Sequence, residues 1–355
     1  MITLQMVWGI VMWVLYIIMF LCMISYALFF RIAYKDKKGT VENVLGEEQW
    51  APYADRVKEE MAWFEAQEER KQLYILTRDK IRLNGWYLPA KGVSRGRVVL
   101  MHDYRTPAGV SFAGVLRAYH ERGFDVLLCD ERAHGESLGK YICFGARERY
   151  DCKLWIECMN KLYGDDKPTF LHGVGMGGTA VLMTAGLKLP YNVVAVIAEG
   201  AYTSPFAMVK KLLKKSHTSG KAFLKYFDFW CRALAGYKLK GASTQAALRE
   251  TKLPVLLIHG SGDDKAPYAM AEANYEACAG EKQLITIPGA GHGVCLWAAE
   301  DCGMDMFTFM ASHEALPEKK EELPEGEQPA AEAPAENEEQ PVEETAEVPA
   351  EETNA

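Results

Sequence analysis

The sequence predicts an α/β fold: a mostly parallel central sheet flanked by helices, with a helical insertion before its last strands. Three observations carry this. Short buried-type runs alternate with helix-length amphipathic runs between Leu73 and Met310, and such alternation means crossover connections and a parallel sheet. One of those runs, Thr169–Leu171, meets glycines at alternate positions, Gly173, Gly175 and Gly177, and passes straight into a helical pattern. The two ends of the chain differ in composition from everything between them, and so stand apart from the core.

The N-terminal end carries no charged side chain from Met1 to Phe30, and residues 7–30 are almost wholly apolar. Roughly 20 such residues cross a bilayer, so residues 1–34 read as a transmembrane anchor with a lipid bilayer as partner. A cleaved signal peptide is the competing reading; the missing basic start and the length of the run weigh against it. Arg31, Lys35, Lys37 and Lys38 follow the run and none precedes it. That asymmetry places the main domain on the cytoplasmic side of a cell membrane.

Residues 35–70 read as a linker and an amphipathic helix, because Trp50, Tyr53, Val57, Met61 and Phe64 recur at three- and four-residue steps. The α/β domain then spans 71–315. Its expected strands are 73–77, 81–87, 97–101, 124–129, 169–171, 192–197, 254–258 and 283–287. Helices are expected at 111–121, 147–162, 179–188, 268–278 and 294–310. Between about 201 and 250 the alternation gives way to lysines mixed with aromatic residues, a helical lid whose basic face suits anionic lipid or plain solvent. From 316 to 355 the chain is Glu, Pro and Ala with almost no aromatic residue, a disordered acidic tail.

The charge follows the same division. The net charge is −8, yet residues 317–355 hold fourteen Glu against two Lys, so the remainder is about +4. Nine cysteines lie scattered without a paired framework or zinc spacing, which suits free thiols in a reducing compartment. Neither a metal nor a cofactor is expected, and nucleic acid is not an expected partner.

The glycine turn has the layout of a nucleophile elbow, in which G-x-S-x-G turns sharply between strand and helix and presents a serine. Gly175 stands at the serine's place. Gly173, Gly175 and Gly178 also spell a dinucleotide fingerprint, but they lie about a hundred residues into the domain, with Glu199 as the only acidic candidate. Polar residues close three other strands: His102-Asp103-Tyr104, then His259-Gly260-Ser261-Gly262-Asp263-Asp264, and finally Gly289-Ala290-Gly291-His292. Elbow, acid and histidine come in the chain order of a hydrolase triad.

These motifs, with Asp130-Glu131-Arg132-Ala133-His134-Gly135-Glu136-Ser137 after the fourth strand, resemble those of the α/β-hydrolase superfamily, specifically its bacterial esterase-like and serine-aminopeptidase-like group. The resemblance implies an α/β-hydrolase fold over about Leu73–Met310. It also implies Asp263 as the acid, with Asp264 its alternative, His292 as the base, and Tyr104 and Met176 as oxyanion-hole donors. His102, His134 and His259 read as structural. Two departures stand at the chemistry: Gly175 for serine, and Asp103 where the family's loop has glycine. Losing the nucleophile removes most of such a unit's catalysis, so a degenerate hydrolase that binds a small acyl or peptide ligand is expected. The alternative is an active hydrolase in which Asp263 and His292 activate water or a displaced nucleophile, Thr179 being the nearest hydroxyl. A serine at 175 is expected to fit sterically. No sequence feature names a protein partner.

Overall fold

The computed structural model describes residues 3–35, 39–216 and 220–319. Contacts divide the chain at Pro317, and every element below lies before that point. The acidic tail expected at 316–355 lies outside the described residues from 320 onward, as do Lys37 and Lys38.

Eight strands form one sheet: β1 (Lys71–Leu76), β2 (Arg82–Leu88), β3 (Gly96–Met101), β4 (Phe124–Cys129), β5 (Thr169–Val174), β6 (Val193–Glu199), β7 (Val255–Gly260) and β8 (Lys282–Ile287). Their order is β1-β2-β4-β3-β5-β6-β7-β8, antiparallel at β1–β2 and β2–β4 and parallel elsewhere. The central strands β3 to β7 are buried along their whole length, as runs of Val, Leu and Ile require when helices cover both faces.

The helices are α1 (Leu4–Ala33), α2 (Val41–Leu45), α3 (Ala54–Glu65), α4 (Ala108–Phe112), α5 (Leu116–Glu121), α6 (Glu148–Tyr163), α7 (Met176–Thr184), α8 (Pro205–Lys215), α9 (Lys221–Leu234), α10 (Thr244–Glu250), α11 (Ala269–Ala277), α12 (Cys295–Ala298) and α13 (Glu300–Ser312). One face of the sheet packs Phe64, Phe112, Leu116, Tyr119 and Met306 from α3, α4, α5 and α13. The other packs Trp155, Ile156, Val181, Leu182 and Leu248 from α6, α7 and α10. Seven of the nine cysteines are buried, and all nine are free thiols.

Three expected helices change shape. The one at 111–121 is two, α4 and α5, broken near Gly114, where Trp297 lies closer than an ordinary side chain allows. The one at 294–310 is α12 and α13, separated by Ala299 in extended conformation. The helix after the glycine turn starts at Met176 and ends at Thr184, because Gly186 then packs directly on Ala247.

α1 belongs to two environments. Residues 4–20 are exposed, and residues 4–23 measure about 30 Å, the thickness of a bilayer's hydrocarbon core. Its last turns instead dock on the insertion: Leu28, Phe29, Ile32 and Ala33 are buried in a cluster with Met208, Val209, Phe227 and Cys231 of α8 and α9. A helix leaves its final carbonyls without partners inside the helix. Here the domain supplies them. Arg105 Nη2 donates to Arg31 O at 2.7 Å, Tyr104 Oη to Ile32 O at 2.7 Å, and Ile142 N to Ala33 O at 2.7 Å. Lys35 Nζ donates in turn to Gly135 O and Ser137 O.

Candidate functional site

The site forms where the sheet reverses its winding. β3 connects on to β4 on one side, β5 to β6 on the other, and the two are neighbours; such a switch point opens a crevice beyond the strand ends. Met101 pairs with Gly173, so the residues just beyond them, Asp103 and Gly175, face each other. The turn after β5 is fastened on both sides. Gly175 N donates to Glu199 O at 2.8 Å and Gly177 N to His102 O at 2.9 Å. A β-carbon at Gly177 would overlap Met101 O, so glycine there lets β3 come close. Gly175 has φ +55 and ψ −109, a left-handed conformation that side-chain-bearing residues rarely adopt.

Asp263 and His292 are brought together by the ends of β7 and β8. His292 Nδ1 donates to Asp263 Oδ2 at 2.6 Å. The other oxygen, Asp263 Oδ1, accepts from the backbone N–H groups of Lys265 and Ala266 at 2.8 and 2.7 Å. Of the two candidate aspartates, Asp263 is the one bonded to His292. Asp264 accepts Lys211 Nζ on its backbone carbonyl.

Asp103 lies beside the expected oxyanion hole, as its place in the loop suggested, but sequence reasoning missed where its carboxylate goes. Its carboxylate turns into the space that a side chain at 175 would fill. Oδ1 accepts the Met176 N–H at 2.9 Å, and Oδ2 stands 3.2 Å from His292 Nε2. A β-carbon at Gly175 would overlap Asp103 Oδ1 and lie 2.9 Å from His292 Nε2. The expectation that serine fits at 175 is therefore corrected: it fits only once Asp103 moves away. The Met176 N–H, expected as an oxyanion donor, is already engaged by this carboxylate. Tyr104, expected as the second donor, is held through its side chain, by Ile32 O and by stacking on Phe144.

The ionisation of this cluster follows from its geometry. Burial by itself would lower the His292 pKa, but carboxylates on both ring nitrogens outweigh it and raise it to about 10. Burial would raise Asp103, yet the imidazolium beside it and the Met176 N–H bring it down to about 2. Asp263 is likewise lowered against its burial by His292 and its backbone donors. His292 at neutral pH is thus an imidazolium between two carboxylates. Glu199 lies just behind, accepting the Cys295 N–H at 2.8 Å, and burial pushes it up to about 7.

The remaining candidates bond the backbone. Thr179 Oγ1 donates to backbone carbonyls and accepts the Tyr202 N–H, wholly buried. His102 accepts the Glu131 N–H, His134 accepts the Arg105 N–H, and His259 bonds Ala266 O. Among the described residues no cluster of His, Cys, Asp and Glu converges as a metal site would.

Comparison with known proteins agrees with this frame. The family profile described as TAP-like protein (Abhydrolase_4) matches residues 223–315. Esterase Pf2001 of Pyrococcus furiosus superposes with a TM-score of 0.55 at 21% identity, over 70% of this chain and 94% of that one. Est1E of Butyrivibrio proteoclasticus, whose structure holds ferulic acid, gives 0.50 at 18%, over 67% and 99%. The uncharacterized protein YqkD of Bacillus subtilis (strain 168) is 26% identical over 184 residues, 50% of this chain and 59% of its own length. The uncharacterized protein YfhR of Escherichia coli (strain K12) is 23% identical over 218 residues, 61% and 70%. The fold is the α/β-hydrolase fold, and the profile and the structural likenesses support placement in that superfamily.

Proposed function

We propose that this chain is a membrane-tethered, esterase-like α/β-hydrolase-fold protein whose acyl-transfer chemistry is switched off, leaving a binding site. One observation carries the reading: the Asp103 carboxylate lies between the Met176 N–H and His292 Nε2, in the space a nucleophile would need. Acyl transfer requires a nucleophile, a base with a free lone pair and donors for the developing oxyanion. Gly175 supplies no nucleophile. His292, protonated on both nitrogens, has no lone pair to accept a proton. The Met176 N–H already bonds a full negative charge, so an oxyanion there would meet repulsion.

The tether is the exposed, apolar part of α1. A signal peptide is discarded, whereas the C-terminal turns of this helix are buried in the insertion and bonded at their end by the domain. That arrangement favours retention.

The second reading, an active hydrolase using Asp263 and His292 on water or a displaced nucleophile, draws on the same carboxylate, since Asp103 Oδ1 is the atom nearest the vacated position. The test is kcat/KM on short acyl esters for four full-length proteins: the parent, Gly175→Ser, Asp103→Gly and the double variant. The parent and Gly175→Ser should be inert, the latter because Asp103 blocks the new side chain. The double variant should gain activity, by about 10²-fold or more over Gly175→Ser, the scale of one oxyanion-hole term. Parent turnover that His292→Ala abolishes would overturn the switched-off reading.

A further inference from the structure

A cavity of about 570 Å³ opens above Asp103, between α2, the loop 102–106, α8 and the loop 263–265. That is the size of a small-molecule site. Val44, Tyr104, Met208 and Leu212 give it apolar walls. Its charges are unevenly satisfied. Asp103 is neutralised by His292 at the floor. Glu47 is paired with Lys265 at 2.6 Å, and Lys211 is spent on Asp264 O. The Asp264 carboxylate acts electrostatically on Lys211, and Arg105 bonds the end of α1. Lys214 and Lys215 remain. They line the cavity from the last turn of α8, are exposed, and have no carboxylate partner among the described residues.

We propose that this cavity binds an anionic amphiphile, its head group on Lys214 and Lys215 and its apolar portion between Val44, Met208 and Leu212. The floor rejects the opposite orientation, because Asp103 already holds the anion-binding N–H and would repel a second negative charge. Lysine ammonium groups are point charges that suit phosphate or carboxylate without demanding one geometry. A lipid could supply such a molecule. Tyr104 and Arg105 line the cavity and also bond the end of α1, and Arg31 lies about 12 Å along the helix from Met23, close to the head-group layer. This inference rests on the reading of the site as binding rather than cleaving.

The test uses the full chain in phosphatidylcholine nanodiscs and three probes: decyl phosphate, decanol and inorganic phosphate. Decyl phosphate should bind about tenfold or more tightly than either of the others, because it alone offers both charge and chain. Lys214→Glu with Lys215→Glu, both exposed and harmless to packing, should weaken decyl phosphate about tenfold and leave decanol unchanged. Leu212→Trp should weaken both amphiphiles by filling the apolar wall. Equal binding of decanol and decyl phosphate, or indifference to the lysine reversal, would overturn the proposal. Adding phosphatidylglycerol to the discs distinguishes the sources: displacement of decyl phosphate assigns the site to a bilayer lipid, and no displacement to a soluble amphiphile. Decyl phosphate has no acyl bond, so ester turnover by the parent would remove the switched-off reading without touching this result.

Discussion

Asp103 and His292 hold each other in their charged forms, and pH dependence should reveal it. A pKa raised from 6.5 to about 10 on His292 stabilises the fold fully below pH 6.5, and that contribution is lost as pH rises through about 10. A pKa lowered from 3.8 to about 2 on Asp103 contributes above pH 3.8 and is lost as pH falls through about 2. The pair is therefore at full strength between about pH 4 and 6.5 and largely intact at neutrality. Nitrogen-resolved NMR of labelled histidine should keep His292 as imidazolium past pH 8, and Asp103→Asn should move its titration down by one unit or more. A midpoint near 6.5 in the parent would refute the paired arrangement. Asp263 and His292 were legible in the sequence because each closes a strand within a spaced motif. Asp103 was legible as a carboxylate beside the oxyanion hole, but not as the group filling the space at Gly175. Its destination depends on the empty volume above a residue without a β-carbon, contributed by a different strand, and no local pattern encodes that.

At the scale of elements, α1 is one apolar run that is exposed over residues 4–20 and docked at its end. Leu, Ile and Phe read alike whether they face lipid or protein, so the sequence marked a span and left its docked end unseen. Phe29 is wholly buried between Phe227 and Tyr141, with ring centroids at 5.4 and 5.3 Å. Phe29→Ala should destabilise the packing of the insertion by about 3–5 kcal/mol, the usual result of emptying an aromatic core position. Limited proteolysis within residues 205–234 would report it, since α8 and α9 lose their packing partner. Unchanged protection would mean that α1 only tethers. The β-strands were the most legible elements, with ends displaced by at most three residues, because fully buried apolar runs of that length have few alternatives. Breaks at Gly114 and Ala299 were missed; at Gly114 a distant side chain, Trp297, sets the local backbone.

For the whole molecule, the basic residues after α1 predict that the domain faces the cytoplasm. Val93 is 91% exposed and far from the site in the fold, whereas most native thiols are buried. Val93→Cys should react with a membrane-impermeant maleimide only after cells are permeabilised; labelling of intact cells would place the domain outside. The docking of α1 also orders events during synthesis. Phe29 emerges early, but its partner Phe227 follows 198 residues later. At the pace of a ribosome that is a wait of roughly 10–40 s. During that wait the docking face of the helix has no insertion to cover it. The docking face of α1 thus stays open until α9 has been made, and a nascent chain stalled before α9 would display an open apolar seam, the kind of feature by which quality control distinguishes unfinished products.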